Sequence, residues 1–426
     1  MGAGVASSAA GRSAISYAEA RERVLAAAQP LPPEQVPLAE AVGRPLRRPV
    51  VARHPLPPFR NSAMDGVAVR GADLARATAA APVILRVTGT VPAGRVAARA
   101  LGEGEAVRIM TGAMLPDGAD GVIPVEEIEF VRGAAGVEQV RIGRAPASGE
   151  NIREAGLDLA AGALALEAGR ALTPHDLALL AALGEARPTV GRRPHVAVIS
   201  TGDELLPPEA ALTPGAIHDS NLPMLVALLD ECGARVVSAK RVADDPDLVG
   251  KQVRAALTMA DVVVTIGGVS AGDFDPVKLA LAGLDGVELW RVAMRPGRPQ
   301  AFGTPDQRLF FGLPGNPASV ACVFEALVRP ALRKLQGFAA LDRPRVAVRA
   351  TVDIESRVER TDFVRVALEQ GEGGWWATPA GDQVSGHLAP QSRAHALLVV
   401  PATAARLAAG EAAEALLLRW PDEGSA

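Results

Sequence analysis

The chain has 426 residues, 49% of them hydrophobic, and a formal net charge of −4. That length exceeds one ordinary core and predicts about two to four globular domains. The slightly acidic balance excludes a global basic field for nucleic acid or anionic membrane, so any anion site must be local.

The first residues, MGAGVASSAAGRS, are small and polar. They lack the basic flank and apolar core of a signal peptide, and 1–12 read as a disordered N-terminus. Ser16–Ala28 reads as a helix, with Ser16 as N-cap and Glu19 three residues on. From about residue 30 to 58 the chain is dense in proline, which suits extended segments crossing between bodies. Short β-like runs (GVAVR, PVILRVTGTV, EAVRIM, GVIPVEE, VEQVRI) follow within 59–144. Thr173–Gly184 is a second helix, with Thr173 as N-cap and Pro174 at its first position.

From His195 strands alternate with helices: HVAVIS, Asn221–Glu231, ARVVSAKRV, DLVGKQVRAALTMA, DVVVTIG, PVKLALAGL, VELWRVAM, RLFFGL and ASVACVFEALVRPALRKL. This alternation predicts a doubly wound, mostly parallel sheet. After about Pro344 only strands remain. The expected fold class is therefore multidomain α/β plus β. An elongated connecting domain (13–58 and 145–188) carries a β-rich insertion (59–144), followed by a central α/β domain (189–340) and a C-terminal small β-barrel domain (341–426). Cys232 and Cys322 lie in apolar helical patterns without metal-ligand spacing and read as reduced core residues, which suits a cytoplasmic protein. No stretch approaches the roughly 18 apolar residues of a membrane span.

Open parallel sheets bind ligands beyond the carboxyl ends of their strands. Four polar loops fall there. ISTGDELLPP crowds Ser200, Thr201, Asp203 and Glu204 at a strand end. In IHDSNLPML, Asp219 or Ser220 caps the next helix, and free amides there suit an anion. GGVSAGDFD offers Gly267, Gly268, Gly272 and Ser270 for close backbone approach, then Asp273 and Asp275. In GLPGNPASV, Asn316 is a good N-cap and Pro317 an ideal first helical residue.

In MRPGRPQAFG, Arg295 and Arg298 flank a Pro-Gly turn, so both guanidiniums are able to face one anion. Glycine amides, hydroxyls, arginines and carboxylates at one sheet edge are reconciled by Mg²⁺, which bridges carboxylates to phosphates. The residues leave open a nucleotide site or a phosphorylated-cofactor site. Two further polar knots lie elsewhere: FRNSAMDGVAVR, with Asp65 in a tight turn, and RIMTGAMLPDGADGVIPVEE, with Thr111-Gly112 after a strand.

Taken in order, NSAMDG, IMTGAMLP, GENIR, STGDEL, DSN, GGVSAGDFD, RPGRPQAFG and GLPGNPAS resemble the molybdopterin molybdotransferases, the MoeA family related to the gephyrin E domain. The resemblance spans about residues 15–420. It implies an elongated homodimer that consumes adenylylated molybdopterin and molybdate with Mg²⁺, places molybdenum on the dithiolene and releases AMP. It implies metal or water-polarising roles for Asp203, Glu204 and Asp275, and molybdate binding by Arg295 and Arg298. Substrate contacts are implied for Ser200, Thr201, Gly202, Asp219, Ser220, Asn221, Gly267, Gly268, Ser270 and Gly272. The same holds for Pro314, Gly315, Asn316, Pro317 and Arg365. Asp65 and Thr111 would come from the partner subunit, and Asp158 and Arg153 from the connecting domain. Transient contact with other molybdenum cofactor biosynthesis proteins is also implied, without nucleic acid or membrane partners.

The chain departs from the family at Arg60, where an acid is usual, and at Val67, where tyrosine is usual. Arg295 and Arg298 replace lysines, which keeps charge but alters donor geometry. Ala389-Pro390 replaces serines. Two alternatives rank lower. An adenylyltransferase of the same α/β module would lack the additional domains, and a peptide-binding scaffold would need a long linker or fused module.

Overall fold

The computed structural model describes residues 14–133, 136–268, 280 and 284–421. The N-terminus 1–12 and most of the expected short helix PVKLALAGL lie outside them. The chain divides into two compact units. One comprises Met1–Arg47, Gly169–Leu172 and Thr189–Ala426, the other Arg48–Ala168 and Thr173–Pro188.

The larger unit is built on one 12-stranded sheet. Its α/β part runs Arg235–Val242, His195–Thr201, Val262–Ile266, Leu309–Leu313, Pro299–Gly303, Val287–Arg295. The first four strands are parallel, and the last two joins are antiparallel. Every residue of Val262–Ile266 and Leu309–Leu313 is buried, as a sheet covered on both faces requires. Leu225 and Leu229 of the helix Asn221–Glu231 pack with Val196 and Val198. Val249 and Val253 of the helix Pro246–Met259 pack with Ala197 and Ile199. Successive strand residues point to opposite faces, so the helices cover both sides and the sheet is doubly wound. Register aligns Ser200 with Ile266 and Ile266 with Leu313, which brings three strand ends level.

The expected long helix from Ala318 is an α-helix Pro317–Val323, a π stretch Phe324–Val328 and an α-helix Arg329–Gln336. Pro330 explains the interruption: it has no N–H for the Ala326 carbonyl one turn earlier. Tyr17 Oη donates to that carbonyl at 3.3 Å. Burial pushes the Tyr17 hydroxyl up to about 12. The helix Tyr17–Ala27 is capped by Ser16, whose Oγ accepts from Glu19 N, and buries Ala20 and Val24 in the same core.

The sheet then passes into the β-only region, because Met294 pairs with Thr361 and Arg295 with Asp362. Thr361–Gly371, Gly374–Pro379, Arg345–Ala350, Ala412–Leu417 and Ala396–Val400 pair in succession, and the last also pairs with the first. This closes a barrel-like ring around Val348, Val366, Leu398 and Ala415. Gly374–Pro379 and Pro299–Gly303 are strands absent from the sequence reading.

The smaller unit holds a six-stranded sheet in the order Gly121–Pro124, Gly66–Val69, Glu105–Ile109, Val83–Val91, Glu138–Ile142, Ile128–Arg132. Val67 is fully buried in its core, as an apolar residue at that position allows. The helix Pro174–Ala182 starts on a capping box: Thr173 Oγ1 accepts from Asp176 N, and Asp176 accepts in return from Thr173 N.

Candidate active site at the sheet edge

The strand Val287–Arg295 turns into Pro299–Gly303 through Arg295-Pro296-Gly297-Arg298. The Arg295–Pro296 peptide is cis and Gly297 sits at φ +103°. A Cβ on Gly297 would run into Val323 Cγ2, so only glycine lets this turn rest on the following helix. Buried Gln300 fixes it from beneath: Nε2 donates to the Gly297 carbonyl at 2.6 Å. Val292 N donates to the Arg298 carbonyl at 2.8 Å. Both arginine side chains are exposed. Neither has a carboxylate within ion-pair distance among the described residues.

The two arginines line a cavity of about 530 Å³ with Pro314, Gly315, Asn316 and Ser319, and with Gln383, Val384 and Ser385 of the barrel-like region. That second wall is tied down. Asn316 Nδ2 donates to Ser385 Oγ at 2.9 Å, and Ala318 N donates to the Ser385 carbonyl at 3.0 Å. Asn316 occupies the expected N-cap position, but its side chain makes no cap bond. The amides it would serve are taken: Ala318 N by Ser385, and Ser319 N by the Asn316 carbonyl. Its amide group is therefore directed to Ser385. Sequence reasoning missed Ser319, Gln383, Val384 and Ser385. Ser319 carried a signal inside GLPGNPAS, and Ser385 one at the start of SGHLAPQS, the stretch that holds Ala389-Pro390.

Arg365 is 2% exposed and organises the second wall. Its Nη1 donates to the His387 carbonyl at 2.9 Å, and its Nη2 to the Asp382 and Val384 carbonyls, each at 3.0 Å. Burial pushes its guanidinium below the ordinary value. Arg365 borders an adjoining cavity of about 240 Å³ shared with Arg295, Pro296 and Gln383. Pro390 is buried in the short helix Ala389–Arg393 and lines neither cavity.

The other loops meet beside this cavity. Gly267 and Gly268 have φ +87° and +70°. A Cβ on Gly267 would lie 2.9 Å from the Thr201 carbonyl, and one on Gly315 would lie 3.8 Å from Gly267 Cα. Asn221 Nδ2 donates to the Gly315 carbonyl at 2.6 Å, and Thr201 Oγ1 to the Ile266 carbonyl at 3.2 Å. Ser200 Oγ and Asn221 Oδ1 are buried with no hydrogen-bond partner among the described residues. Asp219 is committed within the protein: Oδ1 accepts from Asn221 N and Leu222 N, and Oδ2 meets Arg241 Nε at 3.3 Å. The helix-start amides are thus occupied by Asp219. Ser220 holds the N-cap position without a side-chain cap bond. Pro314 is buried, Gly202 is buried, and Pro317 takes the first helical position.

Asp203 and Glu204 are exposed directly after the strand end at Thr201, and Asp203 Oδ1 accepts from Asp244 N at 3.0 Å. Among the described residues no group of three or more His, Cys, Asp or Glu converges as a metal cage. Mg²⁺ does not need one: it keeps waters and takes one or two carboxylates with substrate phosphates. The Asp203–Glu204 pair beside open glycine backbone fits that requirement. Ser270, Gly272, Asp273 and Asp275 lie outside the described residues.

In the smaller unit, Asp65 Oδ1 accepts from Thr111 N at 2.6 Å and from Thr111 Oγ1 at 2.8 Å. The Thr111 amide, then its hydroxyl, holds the Asp65 carboxyl below the usual carboxylate range. The next residue, Gly66, lets the strand Gly121–Pro124 approach, since a Cβ there would meet the Ile123 carbonyl. Arg153 pairs across from Asn61, and Asp158 N donates to the Leu56 carbonyl. Arg153 and Asp158 are both exposed. Arg60 bonds Glu154 through Nε at 3.0 Å.

The chain is thus of the multidomain α/β plus β class, with a cavity lined by two arginines at its sheet edge. Comparison with known proteins gives the family. Residues 15–184 match the MoeA N-terminal region (domain I and II), 197–334 a probable molybdopterin binding domain, and 347–418 the MoeA C-terminal region (domain IV). The molybdopterin molybdenumtransferase 2 of Mycobacterium tuberculosis (strain ATCC 25618 / H37Rv) is 40% identical over 384 residues, covering 89% of this chain and 93% of that protein. The molybdopterin molybdenumtransferase of Bacillus subtilis (strain 168) is 35% identical, covering 91% and 92%. A crystal structure of the molybdopterin biosynthesis MoeA protein from Pyrococcus horikoshii OT3 aligns with TM-score 0.78 and 29% identity, covering 95% of this chain and 100% of that one. The chain belongs to the MoeA family of molybdopterin molybdenumtransferases and is an enzyme of the transferase class.

Proposed function

We propose that this enzyme inserts molybdenum from molybdate into adenylylated molybdopterin, with Mg²⁺-dependent release of AMP. One observation carries the reading: Arg295 and Arg298, without carboxylate partners among the described residues, line one cavity of about 530 Å³. Two such guanidiniums suit a tetrahedral dianion, because charge-assisted hydrogen bonds are roughly twice as strong as neutral ones. The names of the relatives support the same chemistry.

In this reading Arg295 and Arg298 hold and orient molybdate. Ser385, fixed by Asn316, and the loop organised by Arg365 close the far wall. Gly267, Gly268 and Gly315 leave room for the phosphates of the nucleotide-bearing pterin, with Ser200, Thr201, Gly202, Asn221 and Pro314 around them. Asp219, Ser220 and Pro317 shape that pocket, and the resemblance implies Ser270 and Gly272 as further substrate contacts. Asp203, Glu204 and Asp275 would hold Mg²⁺, which when bound neutralises charge on the phosphoanhydride. We assign Asp65 and Thr111, supplied by the partner in a cytoplasmic homodimer, and Arg153 and Asp158 of the connecting domain to the same reaction. In the same reading the chain comprises a connecting domain (13–58 and 145–188), a β-rich insertion (59–144), an α/β domain (189–340) and a C-terminal β-barrel domain (341–426).

The test is product analysis. Protein is incubated with adenylylated molybdopterin, molybdate and Mg²⁺, and the protein-free pterin is assayed for molybdenum. The reading requires molybdenum on the pterin and free AMP together. AMP without transferred molybdenum would overturn it.

A further inference from the structure

Away from these, a cavity of about 850 Å³ lies among the helix Tyr17–Ala27, the helix Arg329–Gln336 and the connector 339–345. Five arginines line it, and four are matched by carboxylates. Arg329 and Arg343 share buried Glu325, and Arg343 Nη1 also meets Glu231 at 2.6 Å. Arg21 meets Asp342 at 2.9 Å, and Arg345 meets Glu414 at 2.6 Å.

Arg333 is the exception. Its guanidinium lies 3.8 Å from the Phe338 ring centroid, and its Nε donates to the Ala340 carbonyl at 2.8 Å. Its terminal nitrogens have no acceptor and no carboxylate partner among the described residues. The side chain is half-buried. Burial pushes it below the ordinary arginine value, and Arg329 and Arg343 act in the same direction. A guanidinium clamped on an aromatic face, with two N–H-bearing nitrogens left open, is preorganised for a planar bidentate contact to an oxyanion. The cavity volume falls in the range of small-molecule sites, larger than a bare phosphate needs.

We propose that this cavity binds the phosphate monoester of a small organic ligand, with Arg333 as its anchor, separately from the cavity at Arg295 and Arg298. The test counts AMP sites by calorimetry at low salt, with inorganic phosphate and succinate as comparison probes, because the proposed phosphate pocket at Gly267, Gly268 and Gly315 also takes AMP. Two AMP sites are expected; at this cavity AMP binds more tightly than phosphate, and R333Q weakens that site at least about tenfold while leaving the other unchanged. R333Q alone keeps wild-type AMP-release turnover, so failure here is distinct from failure of the proposed function. R333K keeps the charge and loses the fork, and weakens AMP with the fold intact even if R333Q unfolds. Unchanged AMP affinity in R333K, or succinate binding as tightly as AMP, overturns the proposal.

Discussion

Arg298→Gln isolates the oxyanion contact. Its side chain pairs with no carboxylate among the described residues, while the backbone bond from Val292 N at 2.8 Å survives the substitution. The folded state loses little, and surface changes of this kind stay within about 0.5 kcal/mol. Bound molybdate loses a charge-assisted hydrogen bond, about 1.5–3 kcal/mol. At about 1.4 kcal/mol per decade, the molybdate KM rises about 10- to 150-fold. Arg298→Lys retains charge without the fork and falls between the two. Initial rates of AMP release against molybdate concentration, with thermal midpoints alongside, read this directly. A wild-type molybdate KM in Arg298→Gln, with the fold intact, refutes the reasoning.

Gly297→Ala meets two penalties, about 1 kcal/mol for a side chain in the left-handed region and about 1–3 kcal/mol for crowding Val323. Its denaturant midpoint falls accordingly, and an unchanged midpoint contradicts the close approach. Tyr17→Phe removes the hydroxyl's hydrogen bond to the Ala326 carbonyl within the π stretch, which costs about 0.5–1.5 kcal/mol in chemical denaturation. Glu105 is 5% exposed, and hydrogen bonds from Arg99 first, then from Gly102 N and Arg86, hold its carboxyl down at about 2. Because the folded value is depressed, the stabilisation is complete above the unfolded value of 4.5 and is lost as pH falls toward 2. Glu105→Gln therefore lowers the thermal midpoint at neutral pH, and the gap to wild type closes between pH 4.5 and 2. A gap that is constant across that range contradicts the ion pair.

The central parallel strands and their loops were legible because His195–Thr201, Val262–Ile266 and Leu309–Leu313 are largely apolar runs followed closely by glycine or a capping residue. Thr201, Asn221, Gly267 and Gly315 are brought together as the strand-end rule requires. The second wall was not legible. Gln383 and Ser385 reach Arg298 and Asn316 only because Met294 pairs with Thr361 far along the chain, and no local pattern encodes that pairing. Asn316 read as a cap because its neighbours have cap chemistry, yet tertiary contact with Ser385 takes the amide that capping would use. Arg365 matched a motif by position, while its burial and carbonyl partners depend on the folded loop 382–387. Pro299–Gly303 was hidden by the proline and glycine of its turn, which suggest a loop until the antiparallel partners are seen.

The most direct measurement of the central claim is the rate of AMP release from adenylylated molybdopterin with and without molybdate at fixed Mg²⁺. The account predicts release only when molybdate is present, with loss on chelation of Mg²⁺. Equal release without molybdate, or no release under any of these conditions, would contradict it.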